Sequence, residues 1–147
     1  MSRWLLDTNV ISETRRPRPS PAVQSWIESL DIEQVCTASI VIAELRYGTL
    51  TSRDELQRLE ISIWIDQLIR PWFGDRIYPV DESALLNWVV DARRLQQARE
   101  PAPPVDLLIA AVAKTSALGV ATRDVKPFVS TGVPVLNPWT GERFNGA

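Results

Sequence analysis

Short apolar runs alternate with longer amphipathic stretches along the whole chain, and this alternation constrains the fold most. The runs cover residues 4–6, 34–37, 77–80, 120–122 and 133–136. The stretches between them carry apolar residues at helical spacing. A helix between two strands carries the chain back along the face of the sheet, so the second strand runs parallel to the first. We therefore predict an α/β fold, a three-layer α/β/α sandwich with a mostly parallel central sheet.

Capping residues and prolines set the expected boundaries of the elements. Ser20, Ser39 and Ser52 each stand where an N-cap begins a helix, and Gly119 stands where the last long helix ends. Pro71 is expected to end the helix that begins after Ser52, because proline cannot donate a hydrogen bond in a helix interior. The last apolar run contains a proline, which places it at the edge of the predicted sheet.

Length and composition favour a single domain over residues 1–147. The chain is close to the usual size of one domain, and 45% of its residues are hydrophobic. No apolar run approaches the roughly 18 residues of a membrane span, and an aspartate interrupts the N-terminal run before a signal peptide could form. A single cysteine excludes an internal disulfide. We expect a cytoplasmic protein without membrane contact.

The absence of histidine and the excess of arginine limit the available chemistry. Without histidine, Ser-His-Asp triads and imidazole-dependent zinc sites are excluded. The net charge of −2 by itself favours neither nucleic acid nor membrane as a partner. Only two of the 16 cationic residues are lysine, which leaves 14 arginines, and arginine suits phosphate. Arg15 and Arg16 lie in a basic run that either binds phosphate or forms a solvated loop.

Two aspartates, Asp7 and Asp124, each come directly after a predicted strand or one residue beyond it. In open α/β sheets the ligand lies beyond the carboxyl ends of the strands, so residues in these positions are candidates for a functional site. Either aspartate could instead cap a helix or form a turn. Position alone leaves both interpretations open.

Two further acids lie on helix faces that are expected to pack inward. Glu44 has apolar residues one turn away on both sides, including Val41 and Tyr47. Asp106 lies in the first turn of a strongly apolar helix, where the helix dipole alone also favours an acid. A buried carboxylate is costly unless a cation, a proton or hydrogen-bond donors accompany it.

We refer to Asp7, Glu44, Asp106 and Asp124 as the acidic cluster. Four carboxylates in one crevice repel each other, and a divalent cation with oxygen ligands relieves the repulsion. Oxygen donors favour Mg²⁺ or Mn²⁺ over zinc. Such an ion activates water and stabilises charge on a phosphoryl group. The cluster therefore predicts metal-dependent hydrolysis of a phosphodiester.

Polar neighbours of the acidic cluster are candidates for supporting roles. Asn9 and Thr122 flank the acids and would orient the carboxylates or metal-bound water, unless they serve as a cap and a strand hydroxyl. Arg123 would meet a substrate phosphate or form an ion pair with one of the acids. If the substrate is RNA, Arg15, Arg16 and Arg123 are the candidate phosphate contacts.

Four motifs follow one another in a characteristic order. They are Asp7-Thr8-Asn9, Glu44 within AELRYG, Asp106 before LLIAAVA, and Thr122-Arg123-Asp124. This ordered set resembles the PIN-domain ribonucleases, in particular the VapC and FitB toxins of prokaryotic toxin–antitoxin pairs. The likeness covers nearly the whole chain, including the closing VLNPW segment.

The resemblance implies a PIN-like fold and a metal-dependent endoribonuclease. It implies that the acidic cluster binds one or two Mg²⁺ or Mn²⁺ ions, with Asn9 and Thr122 in support, and that RNA is the substrate. A homodimer is implied, together with a small antitoxin whose C-terminal segment offers an arginine to the acidic cluster. Many relatives carry Asn in place of Asp124 and Asp in place of Pro127, so Asp124 is a ligand, a water-bridged group or a turn residue.

Two other functions remain open. An aspartate that ends the first strand also acts as the nucleophile of aspartyl-phosphate enzymes, although Asn9 stands where these enzymes usually have a second aspartate. A catalytically silent PIN-like module that binds a partner or RNA is the other alternative. Trp64 and Trp72 are candidates for the surface that binds the antitoxin or a second copy, although tryptophan is more often partly buried in the core.

Overall fold

The computed structural model describes residues 2–147, whose strands form one six-stranded sheet. The strands are β1 (Trp4–Leu6), β2 (Val35–Ala38), β3 (Ile77–Tyr78), β4 (Gly119–Ala121), β5 (Val135–Leu136) and β6 (Arg143–Phe144). Their order across the sheet is β3-β2-β1-β4-β5-β6. The first five pair in parallel, and β6 pairs antiparallel with β5. The prediction of an α/β sandwich with a mostly parallel sheet is confirmed.

Helices connect the strands and flank the sheet. The α-helices are α1 (Thr8–Glu13), α2 (Pro21–Glu28), α3 (Ser39–Thr51), α4 (Glu55–Trp64), α5 (Arg70–Phe73), α6 (Glu82–Gln97), α7 (Pro104–Thr115) and α8 (Val125–Val129). A 3₁₀ turn (Ile32–Gln34) precedes β2, and a π-helical segment (Ile65–Ile69) joins α4 to α5. Among residues 2–147, no helix combines the length and the apolar character that crossing a membrane requires.

The core lies along the central strands and helix α7. Every residue of β1, β2, β4 and β5 is buried, as expected for a parallel sheet that is covered on both faces. Helix α7 is buried at Leu107 and along residues 109–113. The small alanines among these residues allow the helix to pack closely against the core.

The prediction that the last apolar run forms the sheet edge is wrong, because β6 pairs with the outer side of β5. Pro134 lies just before β5, so its missing N–H removes no hydrogen bond from that strand, and its carbonyl accepts one from the N–H of Val120 (2.8 Å). Strand β6 has only two residues, neither of them buried, and therefore carries no apolar signal.

Two of the three predicted N-caps differ from the structure. Ser20 caps α2 as predicted. Ser39 is instead the first residue of α3, because strand β2 runs directly into this helix. Ser52 does not cap α4: Asp54 does, since its carboxylate accepts a hydrogen bond from the N–H of Leu56 (3.0 Å).

The helix that begins with α4 does not end before Pro71, contrary to the prediction. It continues through the π-helical segment into α5 and ends at Phe73. Proline cannot donate to the carbonyl four residues earlier, and the wider π turn lies directly before Pro71, where this bond is missing. Phe73 is completely buried, so the additional turn anchors the end of the helix in the core.

Gly119 begins β4 and does not cap α7, contrary to the prediction. The chain leaves α7 through Ala117, whose φ is 54°. Gly119 pairs with Trp4 across the sheet, and a Cβ atom at this position would lie 2.5 Å from Cζ3 of the Trp4 ring. Glycine is therefore required here by the close approach of the indole, and not by a helix end.

This contact predicts a clear effect on stability. We expect Gly119→Ala to lower the free energy of unfolding by about 1–3 kcal/mol, because the buried Trp4 ring must move. Gly48→Ala is the matched control. In α3 the added Cβ would meet Ile61 only at 3.9 Å, so alanine should raise stability by about 0.5–1 kcal/mol. Urea unfolding measures both variants, and changes of the same sign would contradict the explanation.

Candidate functional site

The acidic cluster forms at the carboxyl ends of two adjacent strands. Asp7 directly follows β1 and is the N-cap of α1, whereas Asp124 lies just beyond β4 and is the N-cap of α8. Strands β1 and β4 pair in parallel, so these ends lie at the same edge of the sheet. Glu44 comes to this edge from α3, and Asp106 from the first turn of α7.

Asp7 is buried and held by hydrogen bonds on both carboxylate oxygens. Its Oδ1 accepts a hydrogen bond from the N–H of Thr8 (2.8 Å), and its Oδ2 accepts one from Oγ1 of Thr122 (2.8 Å). Burial raises the pKa of Asp7, these two hydrogen bonds partly oppose the rise, and the charges of Glu44 and Asp124 add to it. The carboxylate therefore has a fixed orientation in an unfavourable electrostatic environment.

Glu44 is half-buried, and its Oε1 accepts a hydrogen bond from Oγ1 of Thr8 (2.8 Å). The expectation that its helix face packs inward is only partly met. Val41 is completely buried, but Tyr47 is 65% exposed. Glu44 therefore lies at the boundary between the core and solvent, where its carboxylate is accessible to a ligand.

Asp106 shows most directly that the four acids are close to one another. Burial, followed by the charges of Asp7, Asp124 and Glu44, raises the pKa of Asp106 to about 6. The four acids therefore lie near enough to interact electrostatically. Asp124 is the most exposed of the four, and its side chain makes no capping hydrogen bond to α8.

Thr122 connects the segment after β4 to Asp7. Its Oγ1 donates to Asp7 and accepts hydrogen bonds from Nδ2 of Asn9 (3.2 Å) and from the N–H of Asp124 (3.1 Å). Oδ1 of Asn9 accepts a further bond from the N–H of Arg123 (3.2 Å). Asn9 therefore acts on the acidic cluster through Thr122, and these bonds fix the position of the segment that carries Asp124.

The three arginines named as phosphate contacts lie around the cluster without neutralising it. Arg15 stacks over the ring of Trp64 (5.9 Å), and Arg123 stacks over the ring of Trp139 (5.0 Å). Arg16 forms an ion pair with Glu13 (3.5 Å). Within residues 2–147, no arginine or lysine forms an ion pair with a member of the acidic cluster.

The donor chemistry of the acidic cluster fits Mg²⁺ or Mn²⁺, because it offers carboxylate oxygens that repel each other and that lack a cationic partner among residues 2–147. In the described part of the chain, no three His, Cys, Asp or Glu side chains are close enough together to form a ready-made metal site. Mg²⁺ usually binds one or two carboxylates and keeps several waters. The residues therefore fit a partly hydrated ion better than a closed cage.

Comparison with known proteins assigns the family. A family model of the PIN domain matches residues 4–132. The chain belongs to the PIN domain family. Toxin FitB of Neisseria gonorrhoeae is 38% identical to this PIN domain, over 92% of the chain and 97% of FitB. VapC ribonuclease Y4jK of Sinorhizobium fredii is 32% identical, over 92% of the chain and 96% of that protein.

A solved structure supports the same assignment. The crystal structure of FitAcB from Neisseria gonorrhoeae contains a chain that is 38% identical to this PIN domain. It superposes with a TM-score of 0.87 and covers 92% of this chain and 98% of that one. The resemblance drawn from the motifs is thereby confirmed.

Thr8 is the site residue that sequence reasoning missed. Its N–H donates to Asp7 and its hydroxyl donates to Glu44, so one residue sets the relative position of two acids. In the sequence, the only sign of this role is that Thr8 stands between Asp7 and Asn9 in the first motif. The acceptor on α3 is 36 positions away in sequence.

The double contact of Thr8 predicts a loss of function without a loss of fold. Thr8→Val keeps the shape and the N–H but removes the hydroxyl, so we expect RNA cleavage and Mn²⁺ affinity to fall by about 10- to 100-fold. Thr8→Ser restores the donor and should recover most of the loss. Calorimetric titration with Mn²⁺ and cleavage rates test this. If Thr8→Val and Thr8→Ser had the same cleavage rate and the same Mn²⁺ affinity, the hydroxyl would have no role.

Proposed function

We propose that this PIN domain is an endoribonuclease that hydrolyses RNA phosphodiester bonds with Mg²⁺ or Mn²⁺. The observation that carries the proposal is the acidic cluster, in which burial and the neighbouring acids raise the pKa values of Asp7 and Asp106, and in which no acid has a cationic partner within residues 2–147. Water is the proposed nucleophile. The relative Y4jK is named a ribonuclease, which supports RNA as the substrate class.

In this proposal Asp7, Glu44 and Asp106 hold the metal, partly through bound water, because no three acids within residues 2–147 form a ready-made site. Asp124 contributes directly or through a water molecule. A bound ion lowers the pKa of water and stabilises negative charge on the phosphate. Asp7 cannot rotate freely, because both of its oxygens accept hydrogen bonds. Asp106 retains a proton up to a pH of about 6 in the metal-free protein, and a cation beside it favours the ionised form.

Arginines at the border of the site would bind the RNA backbone. Arg15 lines a cavity of about 210 Å³ together with Thr8 and Glu44, so it is the arginine best placed to contact a phosphate near the acids. Arg123 is exposed and adjoins Asp124 in sequence. Arg16 is held by the buried Glu13 and is the weakest of the three candidates.

The direct test is cleavage of a single-stranded RNA by the purified chain in Mg²⁺, in Mn²⁺ and in EDTA. We expect products with either ion and none in EDTA. Cleavage that is equally fast in EDTA would contradict metal dependence. RNA that is bound but remains intact at every Mn²⁺ concentration would favour the silent binding module.

The aspartyl-phosphate alternative is less well supported by the geometry. Each oxygen of Asp7 accepts one hydrogen bond, which reduces the electron density available for an attack on phosphorus without blocking it. Asn9 is engaged with Thr122 and Arg123 and supplies no second acid. A beryllofluoride adduct on Asp7 would revive this alternative, and no adduct is expected.

A cognate antitoxin is the proposed protein partner. A cavity of about 440 Å³ between α2 and the π-helical segment includes Ile27, Leu68, Trp64 and Trp72 in its lining. Trp64 also lines the cavity that contains Glu44, so the two cavities meet at this ring. An antitoxin segment that occupies the larger cavity and continues past Trp64 would enter the cavity that contains Glu44. Co-expression with the product of a neighbouring short reading frame should yield a complex that does not cleave RNA.

A homodimer is the proposed assembly. Helix α6 exposes an apolar stripe, which is not part of the cavity lined by Trp64 and Trp72. The exposed fractions are 41% for Leu85, 58% for Leu86, 51% for Val89 and 64% for Val90. Contiguous apolar surface of this kind is typical of an interface. Light scattering should give twice the mass of the chain, whereas the mass of one chain would contradict the dimer.

A further inference from the structure

A cavity of about 490 Å³ lies between the α6–α7 connection and helix α8. Its lining includes Arg99, Pro101, Pro103, Lys126, Pro127 and Ser130. The volume is in the range of pockets that bind small ligands, and proline rings with a few polar groups are a suitable lining for a nucleotide. None of these residues belongs to the acidic cluster.

The cavity adjoins the acidic cluster through two elements. Pro103 is the N-cap of α7, which carries Asp106 in its first turn. Lys126 lies in α8, two residues after Asp124. A polynucleotide whose reacting phosphate lies at the acids therefore has this cavity within reach of a neighbouring nucleotide.

The charges in the cavity favour an anionic ligand. Arg99 and Lys126 are both exposed, and neither forms an ion pair within residues 2–147. Ten of the 16 cations form no ion pair within residues 2–147, so Arg99 and Lys126 are distinguished by lining one cavity and not by lacking a partner. Glu100 is the one acid in the cavity lining, so the three charged residues leave one net positive charge.

The backbone conformation at Arg99 determines which substitution tests its side chain. Its φ is 60°, in the left-handed region, and it follows the C-cap of α6. The N–H of Arg99 donates to Gln96 O (3.2 Å), and the N–H of Glu100 donates to Leu95 O (2.9 Å). Glycine is the usual residue in this type of helix end. Arg99 is therefore less favourable than glycine at this position, as is Ala117 at the end of α7 (φ 54°).

We propose that Arg99 and Lys126 form a subsite for a phosphate of the RNA strand, one or a few nucleotides away from the bond that is cut. This inference rests on the proposed ribonuclease function and deepens it. The two cations neutralise the phosphate, and the proline rings contact the sugar and base without reading the sequence. The subsite binds substrate and takes no part in the chemical step.

Arg99→Gly is the decisive variant, because it removes the guanidinium and places the preferred residue at φ 60°. Binding of a short fluorescein-labelled single-stranded RNA is followed by anisotropy in EDTA, which prevents cleavage. We expect Kd to rise about fivefold and the slope of log K against log salt concentration to decrease by about 0.7. Lys126→Gln should have a similar effect. Thermal unfolding should show that Arg99→Gly is at least as stable as the wild type.

Arg53→Gly is the matched control, since it makes the same change of charge and residue type at an exposed position between α3 and α4. It should leave both Kd and the salt slope unchanged. Equal effects of Arg99→Gly and Arg53→Gly, or no RNA binding by any form, would overturn the subsite. RNA cleavage by the wild type is measured separately. If the wild type cleaves RNA and Arg99→Gly leaves the Kd for RNA unchanged, the subsite is rejected and the proposed ribonuclease function is retained.

Discussion

Replacing Asp7 by asparagine is expected to reduce RNA cleavage by about a hundred- to a thousandfold. Asn has nearly the same shape and can still accept the hydrogen bond from the N–H of Thr8, so the fold should survive the loss of the second hydrogen bond, from Oγ1 of Thr122. The substitution removes a negative charge and a carboxylate oxygen from the site proposed to hold the metal. Losing stabilisation of charge in a transition state typically costs two to three orders of magnitude or more, about 3–4 kcal/mol. Cleavage rates at saturating Mn²⁺ measure the effect.

The control for this experiment is Asp66→Asn. Asp66 is an exposed acid on the π-helical segment, paired with Arg46 and not a member of the acidic cluster. The same chemical change at this position should leave the cleavage rate within about twofold of the wild type, since exposed ion pairs contribute little. If Asp7→Asn and Asp106→Asn both retained full activity, the acidic cluster would not be the catalytic site.

The positions of the acids could be predicted only in part. Asp7 and Asp124 follow apolar runs, and the general rule for parallel sheets made them candidates. Their proximity depends on β4 being adjacent to β1, although more than 100 residues separate these strands. Strand order is set by packing between distant parts of the chain, so the local pattern does not contain it.

The errors have a common physical cause. Gly119 matched the pattern of a helix end, but the decisive contact is with Trp4 on the neighbouring strand. Pro71 matched the pattern of a helix stop, but burial of Phe73 holds a further turn in place. In each case a tertiary contact overrides a correct local preference.

The same repulsion that suits a metal should make the metal-free protein less stable, and Asp106→Asn is expected to reveal this. Burial and three neighbouring acids raise the pKa of Asp106 from 3.8 to about 6. The folded protein therefore binds the proton more tightly than the unfolded chain, so stability falls as pH rises from about 4 to about 6 and remains lower above that range. A shift of this size is worth about 3 kcal/mol at 1.36 kcal/mol per unit. Because the side chain is only half-buried, solvent screening reduces this to about 1–2 kcal/mol.

Urea unfolding in EDTA at pH 7 and near pH 4 tests this expectation. Asp106→Asn should exceed the wild type by about 1–2 kcal/mol at pH 7, and the difference should disappear near pH 4, where the wild-type carboxyl is protonated. Mn²⁺ should stabilise the wild type more than the variant, since a ligand of the folded state adds to stability according to its affinity. A variant that is less stable than the wild type at pH 7 would mean that Asp106 is satisfied by its surroundings, and the case for a cation at this edge of the sheet would lose its electrostatic basis.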